Sequence, residues 1–222
     1  MLFGYALAIG TLLLLLWPSG QKQKKLNALR QRALDILAEV VPSAYPDSRF
    51  AKLGWDPAKV PAGSTSCGAL PAYMGIQLGD PTGITKWGVP GVRTEGQAHN
   101  NWVVPSAGRP SPGDIFITTS DPALSIVMHT AVLVDRAVLA DGTEIWTSAD
   151  AGQGTRDAQR AAYVKRHYDP HTNRFLRIDG IGDPRYLGGW IDLDRWVFPS
   201  KGKAFLPALK YPPHPCDPTE CS

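Results

Sequence analysis

Three strand signals follow one another in residues 112–150, which read PGDIFITTSDPALSIVMHTAVLVDRAVLADGTEIWTSAD. Residues 114–118, 130–135 and 143–148 are rich in β-branched and aromatic side chains, which are typical of strands. The Asp141-Gly142 dipeptide before the third segment favours a tight hairpin. The stretch therefore predicts antiparallel pairing of neighbouring strands rather than the βαβ units of a parallel sheet.

Two helices are predicted ahead of these strands. Residues 24–41 carry apolar side chains at helical spacing with basic and amide residues between them, and Pro42 ends the pattern. This helix either lies on a membrane surface as a stalk or packs on the domain. A second helix is predicted over residues 66–74, before the turn residues Gly79-Asp80-Pro81.

Weaker signals complete the pattern. We predict a short helix over 156–167, strands over 174–178 and 190–197, and a long loop over 81–112 that forms a substrate wall. The fold class is therefore α+β, with a helix packed on an antiparallel sheet and a hydrophobic segment at the N-terminus. The expected divisions are a hydrophobic segment at 1–20, an amphipathic helix or stalk at 21–42, the domain at 43–198 and a Pro-rich tail at 199–222.

Length and composition agree with one folded domain. The chain has 222 residues, of which 43% are hydrophobic and 19% charged, enough apolar side chain to bury a core. It also has 22 Gly and 20 Pro, residues that disfavour helix interiors and so argue against a helical bundle.

The net charge of +3 comes from one short segment. Residues 21–32 contain five basic and no acidic side chains, which leaves 18 basic against 20 acidic residues in the rest of the chain. A nucleic-acid-binding domain needs a basic face, so we expect no nucleic-acid partner.

The N-terminal residues 2–17, LFGYALAIGTLLLLLW, carry no charge. As a helix they would span about 24 Å, somewhat less than a ~30 Å hydrocarbon core. No Lys or Arg precedes the segment and no small-residue cleavage site follows it, which favours a retained membrane anchor over a cleaved signal peptide. The basic residues that follow predict a cytoplasmic location for the remainder.

Three residues have the chemistry of a thiol enzyme. Cys67 stands at the start of a predicted helix, where the helix dipole lowers the pKa of a thiol. His129 opens a strand and can take the thiol proton. Asp150 follows the next strand, and pairing of the two strands would bring it near His129 to orient the ring. Ser148 is the alternative third member.

The same residues give the chain a resemblance to the NlpC/P60 and CHAP superfamily of papain-like cysteine peptidoglycan hydrolases. In that superfamily a Cys starts a helix, a PGD turn precedes the first core strand and a His starts the next one. The corresponding segments here are TSCG at 65–68, PGDIF at 112–116 and HTAVLV at 129–134. The chain departs from many members in having Ser66 before the Cys, where they have Asp, and Asp150 where they have a second His.

The resemblance implies a papain-like domain that cleaves peptide or amide bonds in the peptide stems of peptidoglycan. Cys67 would be the nucleophile, His129 the base and Asp150 the orienting residue. No metal and no cofactor are implied.

Peptidoglycan lies outside the membrane, whereas the charge pattern favours a cytoplasmic domain. A resemblance to delivered antibacterial effectors, such as type VI secretion amidases, reconciles the two. Such effectors are made in the cytosol, held by a chaperone or secretion carrier, countered by an immunity protein and active in the periplasm of a rival. We expect membrane association through residues 2–17, with the catalytic domain acting in the periplasm or cell wall of its own or a target cell.

Other functions stay open at this point. A membrane-bound papain-like acyltransferase or thioesterase would use the same thiol on lipid, and a membrane-anchored binding module would use no catalysis. Cys216 and Cys221 in the tail either form a disulfide, which would indicate an oxidising compartment, or remain as thiols.

Overall fold

A computed structural model describes residues 28–56, 58–59, 66–79, 89–98, 100–155, 158–177 and 185–197. The apolar segment at 2–17, and Cys216 and Cys221 in the tail, lie outside these ranges. Within them, no helix has the length and apolar character needed to cross a membrane.

The described chain has most of its short helices first, followed by an unbroken series of antiparallel strands and a last short helix. The helices are α1 (Ala28–Ala38), α2 (Ser48–Ala51), α3 (Ala69–Gln77), α4 (Val89–Ala98) and α5 (Leu193–Val197), with 3-10 turns at Ser66–Gly68 and Pro105–Ala107. The strands are β1 (Ser43–Ala44), β2 (Trp102–Val103), β3 (Ile115–Thr119), β4 (Val127–Val138), β5 (Glu144–Gln153), β6 (Arg160–Asp169), β7 (Arg174–Arg177) and β8 (Arg185–Ile191).

Six of the strands close into an antiparallel barrel. Each strand from β3 to β8 pairs with the next, and β8 returns to pair with β3. The short strands β1 and β2 extend the sheet beside β6 and β8. The mixed α+β class and the antiparallel pairing are therefore confirmed, including the hairpin between β4 and β5. The sequence pattern did not predict that the sheet closes into a barrel.

Strand alternation divides the core in two. One side chain in every two faces outward and packs under the helices, as Ile115, Val132 and Ala149 do. The others face inward and form an aromatic cluster inside the barrel. That inner cluster contains Phe116, Ala131, Leu133, Trp146, Tyr168, Phe175, Leu187 and Trp190.

Helix α1 belongs to the outer core. Leu29, Ala33, Ile36 and Leu37 are buried on its inner face and pack in the same cluster as the outward-facing strand residues. Helix α1 therefore packs on the domain and is not a stalk separate from it, as the second of the two interpretations of the sequence predicted.

The predicted helix over 156–167 is wrong, because residues from Arg160 onward form strand β6 between β5 and β7. The segment AQRAAYVKRH is rich in residues with good helix propensity, which misled the prediction. Pairing on both sides overrides that local preference, and burial alternates along the strand.

Two further assignments need correction. The strand predicted over 190–197 ends at Ile191, and Leu193–Val197 forms α5. The predicted loop over 81–112 contains α4 and the short strand β2 within its described part.

Arg30 joins α1 to the start of β3 and to α5. Its Nη1 donates to the Asp114 carboxylate and to the Pro112 carbonyl, each at 2.7 Å, and its Nη2 lies 3.0 Å from Asp194 Oδ2. Asp114 also accepts hydrogen bonds from the backbone N–H groups of Leu193 and Ser111. Burial raises the pKa of Asp114 to about 6, although Arg30 and these N–H groups oppose the shift. Asp114, the aspartate of the PGD turn, therefore links α1, the start of β3 and the start of α5, and we call these contacts the Asp114 joint.

We expect Asp114→Ala to lower the free energy of unfolding by about 3 kcal/mol, because Arg30 and two backbone N–H groups lose a buried acceptor. Asp114→Asn should cost less, since it keeps an acceptor oxygen at a position where burial already disfavours the charge. Urea unfolding followed by circular dichroism measures both. The control Asp35→Ala, at an exposed position on α1, should change stability by less than about 0.5 kcal/mol. Equal losses of unfolding free energy in Asp114→Ala and Asp35→Ala would contradict the structural role of Asp114.

Candidate active site

Cys67 lies in the 3-10 turn Ser66–Gly68, which leads directly into α3. The helix start predicted around this residue is confirmed. The cysteine is buried, with 5% of its surface exposed. The turn thus presents the thiol at the positive end of a helix that is itself buried along most of its length.

Strand β5 approaches the Cys67 backbone so closely that any side chain at Gly152 would be crowded. A Cβ atom on Gly152 would lie 3.0 Å from Cys67 N and 3.2 Å from Cys67 Cβ. Gly152 also has a φ of +76°, a backbone angle that residues other than glycine rarely adopt. This contact sets the distance between the cysteine turn and β5.

Two buried side chains hold the turn in place. The Ser66 hydroxyl donates to Gln159 Oε1 at 2.8 Å, and the Ser66 backbone N–H donates to the same oxygen at 3.0 Å. In turn, the Gly152 N–H donates to Ser66 Oγ at 2.8 Å. Ser66, the departure from the pattern of the superfamily, therefore ties the cysteine turn to β5 and to the segment before β6.

His129 and Asp150 meet across the pairing of β4 with β5. His129 Nε2 lies 2.6 Å from Asp150 Oδ2. The imidazole is also hydrogen-bonded to Cys67. Since Nε2 faces the carboxylate, Nδ1 is the nitrogen that faces the thiol. The structure thus brings together the three residues that the sequence analysis selected.

Asp150 is fully buried and has a second cationic partner. Arg166 on β6 forms a two-pronged ion pair with it, with Nη2 2.6 Å from Oδ2 and Nη1 3.1 Å from Oδ1. Ser148 donates to Asp150 Oδ1 at 2.5 Å and accepts a hydrogen bond from Arg166 Nη1. Ser148, the alternative third member, therefore contacts Asp150 and Arg166, and Asp150 is the residue against His129.

The charges of the site reinforce one another. Burial alone would raise the pKa of Asp150, but the Arg166 charge and the hydrogen bond and charge of His129 hold it well below its usual range. Burial would lower the pKa of His129, yet its contacts with Asp150 and Cys67 raise it to about 9. At neutral pH the site therefore holds a carboxylate and an imidazolium, and an imidazolium stabilises a neighbouring thiolate.

Strand alternation places this polar cluster inside the barrel. Ser148 and Asp150 share a face of β5 with Trp146, and Arg166 shares a face of β6 with Tyr168, and both aromatic residues belong to the inner cluster. His129 has the same relation to Ala131 on β4. Apolar side chains fill the adjoining interior and lower the local dielectric, which strengthens the ion pairs.

The sequence pattern did not indicate Arg166 or Gln159 as site residues. Both lie in the segment that was predicted as a helix, where basic and amide side chains are typical of a solvated face. Only the period of two along β6 would have placed Arg166 beside Asp150, and the helix propensity of the segment masks that period.

We expect NMR titration of the full chain to give His129 an apparent pKa near 9, and Asp150→Asn to lower it because the facing negative charge is removed. The control Asp141→Asn removes the same charge at the exposed hairpin turn and should leave the titration unchanged. Because the folded-state pKa exceeds the ordinary value of about 6.5, charged His129 stabilises the fold fully below pH 6.5. That contribution is lost as the pH rises through about 9. A His129 pKa at its ordinary value of about 6.5 would contradict the described charge arrangement.

Comparison of the chain with protein-family models, with curated proteins and with solved structures gives no match in any of the three. The chemistry of the site must therefore be inferred from its own residues and their geometry.

Proposed function

We propose that this protein is a cysteine-dependent hydrolase that cleaves peptide or amide bonds in peptidoglycan. The observation that carries the proposal is the His129 ring, held 2.6 Å from the Asp150 carboxylate on one side and hydrogen-bonded to Cys67 on the other. A thiol at a helix start, an imidazole and a buried carboxylate in this order are the parts of a thiol acyl-transfer site.

In the proposed mechanism the Cys67 thiolate attacks the scissile carbonyl carbon and forms a C–S bond. The carbonyl electrons move to oxygen, and the positive end of α3 stabilises the oxyanion. The tetrahedral intermediate collapses as the C–N bond breaks, and His129 gives its Nδ1 proton to the leaving amine. Neutral His129 then takes a proton from water, whose oxygen attacks the thioester and releases the acid and the thiolate.

Asp150 has two tasks in this scheme. It fixes the ring so that Nδ1 faces Cys67, and it stabilises the imidazolium that donates the proton. Arg166 touches neither the thiol nor the ring through any described contact, and we assign it as a positioning residue that keeps Asp150 ionised.

Peptidoglycan as the substrate is supported by the resemblance of the TSCG, PGDIF and HTAVLV segments to the NlpC/P60 and CHAP superfamily. The same proposal includes a papain-like arrangement of Cys67, just before α3, and His129, on the sheet. It also includes membrane association through residues 2–17, and delivery as an effector with a chaperone or carrier and an immunity partner.

The test is incubation of the full chain with purified peptidoglycan, followed by mass spectrometry of the soluble products. We expect new amine termini in the stem or cross-bridge, none with Cys67→Ala, and a rate about 10²- to 10⁴-fold lower with His129→Ala. The control His171→Ala changes an exposed histidine between β6 and β7 and should keep full activity. A folded chain that releases no new amine would overturn the proposed substrate.

One observation favours a second candidate, a thiol acyltransferase or thioesterase acting on lipid. Ile126 and Met128, just before His129, are 56% and 43% exposed and offer apolar surface beside the site. Phospholipid vesicles tested alongside peptidoglycan separate the two, because Cys67-dependent release of fatty acid without amine products would select the lipid candidate.

We expect Arg166→Gln to lower kcat on peptidoglycan by about 10- to 100-fold, the equivalent of a coupling of about 1.4–2.8 kcal/mol. Without Arg166, burial raises the pKa of Asp150, so the acid limb of the pH–rate profile should move to higher pH. Arg166→Lys should move it less because it keeps a positive charge. Arg136→Gln, at the far end of β4, is the matched control. A uniform loss of rate with an unchanged pH profile would indicate a structural role only.

A further inference from the structure

Gln159 is a buried amide side chain one residue before β6, with 1% of its surface exposed. Its Oε1 accepts hydrogen bonds from the Ser66 hydroxyl at 2.8 Å and from the Ser66 N–H at 3.0 Å. Its Nε2 donates to the Thr155 carbonyl at 3.1 Å, and its own carbonyl accepts from the Tyr45 N–H at 2.8 Å. Gln159 thus joins three separate segments of the chain, one of which is the cysteine turn.

Strand β5 has a β-bulge at the point where it meets that turn. The pairing of β5 with β6 shifts between Asp150 and Gln153, so that β5 has one residue more than β6 there. Gly152 lies in this bulge with a positive φ, as glycine does in one common type of bulge. Its N–H donates to Ser66 Oγ at 2.8 Å. The bulge therefore aims a backbone donor of the sheet at the cysteine turn.

These hydrogen bonds form a chain with one direction. The Gly152 N–H donates to Ser66 Oγ, and the Ser66 hydroxyl donates in turn to Gln159 Oε1. Hydrogen bonds in such a chain polarise one another and become stronger. Ser66 has no exposed surface, so bulk water does not compete for its hydroxyl. Gln159 is the terminal acceptor, and the position of Ser66 depends on it.

The thiol and the imidazole of the site are held by separate parts of the structure. His129 lies on β4 against Asp150, which Arg166 holds from β6, whereas Cys67 directly follows Ser66 in the cysteine turn. The hydrogen bond between Cys67 and His129 spans these two parts. Because a hydrogen bond weakens steeply as its geometry departs from the optimum, a shift of the turn would weaken this contact.

We propose that Gln159 is a positioning residue of the active site, which acts through Ser66 to hold the Cys67 thiol in contact with His129. The proposal rests on the proposed function, because it takes Cys67 as the nucleophile and His129 as its base. Since Gln159 acts through the cysteine turn, its effect belongs to the reactivity of the thiol.

The test measures the thiol of the full chain without a substrate. Iodoacetamide alkylates thiolates, and mass spectrometry of the peptide that contains Cys67 separates its reaction from those of Cys216 and Cys221. The pH midpoint of the alkylation rate gives the apparent pKa of the Cys67 thiol. In the wild type we expect this midpoint at least about two units below the ordinary thiol value of about 8.5, because an imidazolium faces the thiolate.

Gln159→Met keeps the length of the side chain but removes the amide. We expect it to raise the midpoint by about one unit or more, since the displaced thiolate loses the facing imidazolium, and to slow amine release from peptidoglycan about 10- to 100-fold. Ser66→Ala removes only the hydroxyl and should raise the midpoint by less. The control Gln31→Met makes the same change at an exposed position on α1 and should alter neither measurement.

Circular dichroism and thermal unfolding show whether each variant is folded and how stable it is. If Gln159→Met does not fold, the milder Ser66→Ala decides the question. A folded Gln159→Met that is less stable but keeps the wild-type midpoint would show a structural role only and overturn the proposal. A wild-type midpoint near 8.5 would overturn it too, because there would be no contact with an imidazolium to lose.

The positioning role and the proposed hydrolase activity fail separately. Raised midpoints in Gln159→Met and Ser66→Ala, in a chain that releases no amines from peptidoglycan, would retain the positioning role and reject peptidoglycan as the substrate. Unchanged midpoints in both variants, with Cys67-dependent release of amines by the wild type, would retain the hydrolase and reject the role of Gln159.

Discussion

Asp150 is a fully buried side chain whose pKa is held well below its usual range, so it carries its negative charge inside the barrel. Such a charge is tolerated only where cations and hydrogen-bond donors surround it. Arg166 supplies one cation, His129 the other and Ser148 a hydroxyl donor. These partners come from β4, β5 and β6, so the pairing of three adjacent strands is needed before the charge can be buried at all. The raised pKa of His129 follows from the same carboxylate.

Cys67 is placed by a second, separate set of contacts. Gly152 lies two residues beyond Asp150 on β5, close to the Cys67 backbone, and Ser66 within the cysteine turn binds both Gln159 and the Gly152 N–H. One strand therefore positions both the carboxylate and the cysteine, which fixes the distance between the two ends of the site. The imidazole lies between them and is hydrogen-bonded to both.

Helices α1 and α5 act on the site indirectly. Arg30 on α1 binds the aspartate of the PGD turn, and the same aspartate holds the start of α5. This joint sets where β3 begins, and β3 carries Thr118 opposite His129. The PGD turn, which carried part of the family resemblance, thus has a structural task at the opposite end of β3 from the polar cluster.

Local chemistry was enough to select Cys67, His129 and Asp150 as candidates from the sequence, because a helix start and two strand segments joined by a tight turn are short-range features. The structure places His129 third in β4 and Asp150 within β5, rather than at the strand ends that the sequence predicted. The antiparallel pairing of β3, β4 and β5 was predictable from the same short-range features. Arg166 and Gln159 were not, since their contacts depend on the pairing of β6 with β5 and on the approach of the cysteine turn to β5. Helix propensity in the segment before and within β6 conflicts with that pairing, and only strand pairing on both sides resolves the conflict. The sequence by itself determined which groups are the candidates for the chemistry, and the tertiary structure decided which charges surround them, because burial and ion pairing arise between strands far apart in the chain.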